Sequence, residues 1–416
     1  MATDTRRAIE AAFRIESPRL IAGLTRLVRD VGLAEDLAQD ALVAALAQWP
    51  ESGVPENPGA WLMTTAKRRA IDHLRHTKMA ETKHQALGRE MDNAPAPDLD
   101  AALDDDIGDD LLRLVFIACH PILGTEARVA LTLRLLGGLT TAEIARAFLT
   151  SEATVAQRIV RAKRTLAEAH VPFEVPRAEE RAARLEAVLE VIYLIFNEGY
   201  SATAGEDWMR PALCEEALRL VRVLAGLAPE EPEVHGLAAL LEIQASRAAA
   251  RTDAQGEPIL LLDQNRARWD GLLIARGLAA LERAHALTDR PGPYALQAEI
   301  AACHARARVA ADTDWQRIAA LYDELALVSP SPVVDLNRAV AHGMAFGPEQ
   351  GLLLADRLEK HPALAAYHLL PATRAEFLSQ MGKREEARAE WRRAASLTHN
   401  EREKKLLLER ARALAD

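Results

Sequence analysis

The sequence predicts an all-α chain built from several helical domains, and three observations carry that prediction. Ala, Leu, Arg and Glu recur at helical spacing along nearly the whole length. Aromatic residues make up only 4% of the chain, and runs of Val, Ile, Thr and Tyr that would mark strands are missing. At 416 residues, the chain exceeds what one hydrophobic core organises, so two or three domains are expected, each able to bury a core without disulfides or metals.

The elements follow in order. From about Ser17 to Arg75 the pattern is helical, interrupted by the Pro- and Gly-bearing stretch from Trp49 to Pro58, which reads as a loop between helices. Pro58 opens the next helix at a position that tolerates a missing N–H. From Thr77 the residues turn polar, pass through Asn93-Ala94-Pro95-Ala96-Pro97 and become acidic at Asp98, Asp100, Asp104, Asp105 and Asp106, which reads as a flexible linker. Helical patterning resumes near Asp109 and runs to about His170. The segment Val171-Pro172-Phe173-Glu174-Val175-Pro176 then marks a second joint.

The domains expected are therefore 1–78, a linker at 79–107, 108–170, and a large helical remainder at 171–416. In that remainder, four sets of small or apolar residues recur at i, i+4, i+7 and i+10: Ala217/Val221/Leu224/Leu227, Gly277/Leu281/Ala284/Leu287, Ile318/Tyr322/Leu325/Val328 and Ala387/Trp391/Ala394/Leu397. Their spacing, with Pro229, Pro330 and Gly382 nearby, resembles the second helix of a tetratricopeptide repeat. A generic helical bundle accounts for i, i+4 and i+7 equally.

Charge and cysteine usage narrow the classes. The net charge of −10 argues against a uniformly basic nucleic-acid coat, but the positive charge is clustered: Lys67, Arg68, Arg69, Arg75 and Lys78 in one group, Arg158, Arg161, Lys163 and Arg164 in another. Cys119, Cys214 and Cys303 are odd in number and far apart, as expected of reduced core thiols in a cytosol. The start, Met1 to Arg19, has no apolar signal core, and no stretch approaches bilayer-spanning length, so a cytoplasmic protein without membrane contact is expected.

The most informative segment runs from Leu131 to Leu166 and reads as a helix-turn-helix. Thr140 followed by Glu143 is a capping box for a short helix bearing Ile144, Ala145 and Phe148, and Ser151 caps a second helix. On that second helix Val155, Ile159, Ala162 and Leu166 form an inward face. Thr154, Gln157, Arg158 and Arg161 lie opposite, residue types that read base edges or grip phosphates from the major groove. Lys163 and Arg164 extend the positive surface and suit phosphates.

These residues also carry a family resemblance. Gly138-Leu139-Thr140-Thr141-Ala142-Glu143-Ile144-Ala145, followed by Thr154-Val155 and then Arg158-Ile159, Arg161, Ala162 and Lys163, resembles sigma region 4, which reads the −35 promoter element. Asp36, Gln39 and Asp40 resemble the D-x-x-Q-[DE] motif of sigma region 2. Trp61-Leu62 with Ala66, Asp72 and Arg75 resembles that region's W-L-x-x-[IT]-A-x-x-x-A-x-D-x-x-R motif.

Two regions in this order, joined by an acidic linker with no intervening region 3, are similar to the extracytoplasmic-function (ECF) group of RNA polymerase sigma factors over about the first 170 residues. The remainder is similar to the repeat-bearing extension of one subgroup.

The resemblance implies an initiation factor with no catalytic residues, metal or cofactor, whose partners are core RNA polymerase and promoter DNA. Asp36, Gln39, Asp40 and Val43 would dock on core polymerase. Trp61, Lys67, Arg68, Arg69 and Arg75 would hold the −10 element, with the loop from Glu51 to Asn57 shaping a flipped-base pocket. Arg68 stands where many relatives carry Asn, at a point where a base is chosen. Ser151, Thr154, Gln157, Arg158, Arg161, Lys163 and Arg164 would bind the −35 element, and the C-terminal domain would regulate the factor by binding a regulatory protein.

The chief rival is a helix-turn-helix regulator with a ligand-sensing helical domain, binding a palindrome as a dimer. A second rival places chemistry in the C-terminal array, where Asn197-Glu198-Gly199-Tyr200, Cys303-His304 and the pair His361 and His368 invite it. No zinc spacing, phosphate loop or nucleophile elbow supports this, and helix ends and repeat turns explain those residues. Arg268-Trp269-Asp270 and Arg290-Pro291-Gly292-Pro293-Tyr294 read either as partner anchors or as repeat-packing residues.

Overall fold

A computed structural model of the chain describes residues 2–85, 107–148, 150–201 and 209–414. The acidic stretch from Asp98 to Asp106 lies outside the described residues. Among those described, α-helices and short 3₁₀ turns account for the regular structure, and an isolated bridge joins Thr252 to Pro258. The chain divides into two units, residues 1–191 and 192–416.

Unit 1 begins with α1 (Ala2–Val28), α2 (Val31–Ser52) and α3 (Pro58–Gln85), three mutually packed helices. α1 starts well before Ser17 and runs through Pro18. Its first half is held because Ile9 and Phe13 join Leu20, Ile21 and Leu24 in the core, which outweighs the one backbone hydrogen bond that proline removes. Asp30 caps α2, its carboxylate accepting from the Leu33 amide at 2.8 Å.

Helix α2 also outlasts its sequence signals, continuing through Pro50 until Gly53 (φ 84) returns its N–H to Trp49 O at 2.9 Å. The interhelical loop is therefore only residues 53–57. Asn57 then caps α3, accepting from Ala60 N at 3.0 Å, with Pro58 in the first helical position. The face that α2 buries is lined by Ala34, Leu37, Ala38, Ala41, Ala45 and Trp49. Leu42 and Leu46 are only half-buried, because small alanines let the helix axes approach and leave the larger leucines at the rim.

Four helices follow: α4 (Ile107–Ala118), α5 (Thr125–Leu135), α6 (Thr141–Ala147) and α7 (Glu152–Glu168). Leu114, Phe116, Leu131, Leu133, Leu135 and Ile144 form their shared core. α4 packs on α1, so this body and the first three helices lie together. The segment after His170 has no helix until α8 (Ala178–Tyr200), whose first half belongs to unit 1. There Arg184 donates to Phe116 O at 3.1 Å, and Glu190 pairs with Arg128 at 3.1 Å.

Unit 2 is a succession of helix pairs: α9 (Pro211–Leu227) with α10 (Pro232–Ala245), α11 (Gly271–Leu287) with α12 (Pro293–Arg306), and α13 (Trp315–Val328) with α14 (Pro332–Phe346). α15 (Pro348–Arg357), α16 (Leu369–Gln380), α17 (Arg384–Leu397) and α18 (Glu401–Ala413) complete it. Proline opens α9, α10, α12, α14 and α15, each time at the first turn where its absent N–H is harmless. α10 packs on both α11 and α12. It comes close because Gly236 and Gly277 leave room: a Cβ on Gly236 would stand 2.7 Å from Ala295 N, and one on Gly277 3.0 Å from Ala239 O.

The four recurring sets bury their leading members, Ala217/Val221/Leu224, Gly277/Leu281/Ala284, Ile318/Leu325 and Ala387/Trp391/Ala394. Leu227, Leu287 and Leu397 are half-buried and Val328 is 51% exposed, because the final turn of each helix leaves the core, while mid-helix Tyr322 is half-buried against the core of its own unit. Between α10 and α11 the chain spends residues 246–270 on short 3₁₀ turns, so the helix pairs are not evenly spaced.

Candidate nucleic-acid interface

The helix-turn-helix is assembled by local hydrogen bonds. Gly138, at φ 64, turns the chain after α5. Thr140 Oγ1 accepts from Glu143 N at 3.2 Å, and Glu143 returns a carboxylate to Thr140 N at 2.8 Å, completing the capping box. Burial works to raise the Glu143 carboxyl, but the two Thr140 donors and Arg14 outweigh it and hold it below the usual range. Ser151 caps α7 through Thr154 N at 3.0 Å.

The inward face of α7 is as its spacing predicts: Val155, Ile159, Ala162 and Leu166 are all buried. Opposite them Ser151, Thr154, Gln157, Arg161 and Arg164 are exposed. Thr154, Gln157, Arg158 and Arg161 line a cleft of about 390 Å³ whose far wall includes Ile122, Gly124 and Glu126. Arg158 is half-buried there and paired with the Glu126 carboxylate. Arg164 donates to Glu168 at 2.6 Å, and that exposed bond raises its pKa.

Lys163 stands apart from this row. Its ammonium is ion-paired with Glu35 of α2, a carboxylate only 4% exposed that also accepts from Arg134 Nε at 2.6 Å. Arg134 in turn donates to Leu139 O at 3.1 Å, at the base of the turn. Two further pairs join the same bodies: Arg26 with Asp110 at 3.2 Å and Arg14 with Glu143 at 3.7 Å. A Cβ on Gly138 would lie 3.2 Å from Arg14 O, so the turn itself rests on α1. Sequence reading missed Glu35 and Arg134, since partners such as these, 99 residues apart, leave no local signature.

On α2, Asp36, Gln39, Asp40 and Val43 fall on one outward strip, with Asp36 and Asp40 exposed, Gln39 half-buried and Val43 62% exposed. On α3, Arg68 and Arg75 are exposed while Lys67 and Arg69 are half-buried. Arg69 pairs with Asp40 at 3.2 Å and Arg75 with Asp72 at 3.8 Å, so the cationic row of α3 and the acidic strip of α2 adjoin. Trp61 is half-buried and packs edge-on against buried Trp49 at 5.2 Å. Its ring is thus positioned by the core rather than free to swing.

The polar clusters of unit 2 have structural uses. Gly199 sits against α9, where a Cβ would lie 2.7 Å from Cys214 N, and Glu198 pairs with Arg210. His361 accepts from Ala363 N at 3.2 Å, His368 pairs with Glu403 at 2.9 Å, and Cys303 and His304 are buried. Asp270 caps α11. In the Arg290–Tyr294 stretch, Glu233 accepts from Tyr294 N at 2.7 Å and Ala295 N at 3.2 Å, capping α12 from a neighbouring helix. Trp269 is 7% exposed, so it is a packing residue rather than an exposed anchor.

Comparison with known proteins agrees with this geometry. Residues 12–79 match the family Sigma-70 region 2, residues 113–166 match Sigma-70, region 4, and residues 184–285 match a family of unknown function (DUF6596). The chain is 32% identical over 154 residues to the ECF RNA polymerase sigma factor SigK of Mycolicibacterium vanbaalenii, covering 36% of this chain and 75% of that protein. It is 28% identical over 174 residues to the probable ECF RNA polymerase sigma factor SigI of Mycobacterium tuberculosis, covering 42% of this chain and 59% of that one. An uncharacterized protein of Rhizobium meliloti is 43% identical over 397 residues, 94% of this chain and 92% of its own length.

Proposed function

Because the chain belongs to the sigma-70 family of RNA polymerase sigma factors, we propose that it brings core RNA polymerase to promoters by reading two separate elements. α7 enters the major groove of the −35 element with Thr154, Gln157, Arg158 and Arg161, while Ser151 and Arg164 meet phosphates. α3 holds the −10 element through Trp61, Lys67, Arg68, Arg69 and Arg75, and the strip Asp36, Gln39, Asp40 and Val43 docks on core polymerase. The observation that carries this reading is the capped, two-faced α7, which buries Val155, Ile159, Ala162 and Leu166 and leaves Thr154, Gln157 and Arg161 exposed on its outward face.

The chain then acts as a non-enzymatic initiation factor in the cytoplasm. Among the described residues no helix is long and apolar enough to cross a membrane. We read unit 2 as a TPR-like domain that regulates the factor by docking a regulatory protein, which the buried small-residue registers of its helix pairs support. Both promoter-reading helices belong to bodies that are packed together through Glu35, so binding both elements requires these bodies to part.

The test is in vitro transcription with purified core polymerase, comparing the full chain with one ending at Val191, the limit of unit 1. Promoter-specific transcripts from at least one form are expected. A chain that neither binds core polymerase nor directs transcription, yet binds a palindromic duplex as a dimer, would instead be a conventional helix-turn-helix regulator.

A further inference from the structure

Arg158 is a cation of α7 whose partner lies within the cleft that the helix's outward row lines. Its Nη2 donates to Glu126 Oε2, in the first turn of α5, and both residues line that cleft beside Thr154, Gln157 and Arg161. Two other cations of the helix pair elsewhere: Lys163 with Glu35 on α2, and Arg164 along the helix surface with Glu168. The residues three and four positions from Arg158, which are Thr154, Val155, Arg161 and Ala162, include no carboxylate. The pair therefore exists because α5 packs against α7.

Its contribution to stability is small, since Glu126 is 77% exposed and ion pairs open to water are weak. What it decides is where Arg158 points. The Arg158 side chain is only 28% exposed, so the carboxylate fixes the head of a chain whose freedom is already restricted.

A guanidinium carries five N–H donors in a planar fork, and one carboxylate contact leaves an edge free. A held fork suits the paired acceptors O6 and N7 of a guanine in the major groove. A freely swinging one meets phosphates as readily, and phosphate contacts carry no sequence information. The carboxylate adds a second bias, because it repels the phosphates that would draw Arg158 aside.

We propose that Glu126 is a positioning residue for −35 recognition, holding Arg158 on a guanine base edge and away from the DNA backbone. This rests on the promoter reading above, and deepens it by adding a residue outside α7 and naming the base that Arg158 meets.

The test is selection from duplexes randomised in the −35 segment, by core polymerase reconstituted with the full chain or its variants. The wild-type factor should prefer guanine at one position by about tenfold. Arg158→Ala and Glu126→Gln should each lose most of that preference, at the same position, and combining them should lose no more than Arg158→Ala alone. Preferences at the other positions should persist. Glu126→Gln should also bind unselected duplex more tightly, the slope of log affinity against log salt steepening by about one, with an unchanged thermal midpoint. A Glu126→Gln profile equal to the wild type, or a loss spread evenly over all positions, overturns this inference and leaves the promoter reading standing. A wild-type factor that selects no −35 sequence overturns the promoter reading, and this inference with it.

Discussion

Arg161 and Lys163 stand two positions apart on one helix and have different surroundings. Arg161 lines an open cleft, whereas Lys163 is held by a buried carboxylate. On the proposed reading, Arg161→Ala should therefore cost about 1–3 kcal/mol of base-pair discrimination, measured as the affinity ratio between matched and mismatched −35 duplexes. Lys163→Ala should leave that ratio unchanged.

His304 is one residue at which pH acts on unit 2. Burial, then Arg247 and Arg266, push its pKa down from 6.5 to about 4. A depressed folded pKa means that the stability due to neutral His304 is fully present above pH 6.5 and is lost as pH falls towards 4. The full difference is on the order of 3 kcal/mol. The urea midpoint of the full chain should fall between pH 7 and pH 4.5, and His304→Gln should flatten that dependence; an equal slope in the variant would assign the acid sensitivity elsewhere.

At the scale of the element, caps and close approaches set the energetics. Ser151 satisfies an amide at the start of α7, so Ser151→Ala should destabilise unit 1 by about 1 kcal/mol, while Ser151→Gly should cost only a few tenths. Denaturant titration of the two variants measures the difference. In unit 2, Gly343 of α14 and Gly351 of α15 face each other across the Phe377 ring of α16, and a Cβ on either would overlap that ring. Gly343→Ala should destabilise the unit by about 1–3 kcal/mol. Adding Phe377→Leu should restore part of the loss, because the clash and not the helix propensity is at fault.

The largest scale concerns how the two promoter-reading bodies of unit 1 are held. Glu35 binds Arg134 and Lys163 from the other body at 4% exposure. Removing one partner of such a buried cluster leaves uncompensated charge, so Glu35→Gln should loosen the contact strongly. Fluorescent labels on α3 and α7 should report lower transfer efficiency in the variant, together with tighter binding to duplexes carrying both elements. Unchanged transfer would mean that apolar packing of α4 on α1 holds the bodies without the ion pairs.

The sequence alone determined the helical class, the capping box at Thr140, the cap at Ser151, the Pro58 helix start and the buried row Val155, Ile159, Ala162 and Leu166. Each depends on residues within a few positions of one another, where periodicity and side-chain-to-backbone hydrogen bonds act. Only tertiary structure decided that Lys163 turns to Glu35, that Trp61 packs on Trp49, that Trp269 is buried between arginines, and that α1 and α2 outrun their prolines. Those outcomes depend on burial against distant segments, and the burial of Ile9 and Phe13, or of a carboxylate between two cations, follows from what folds alongside it.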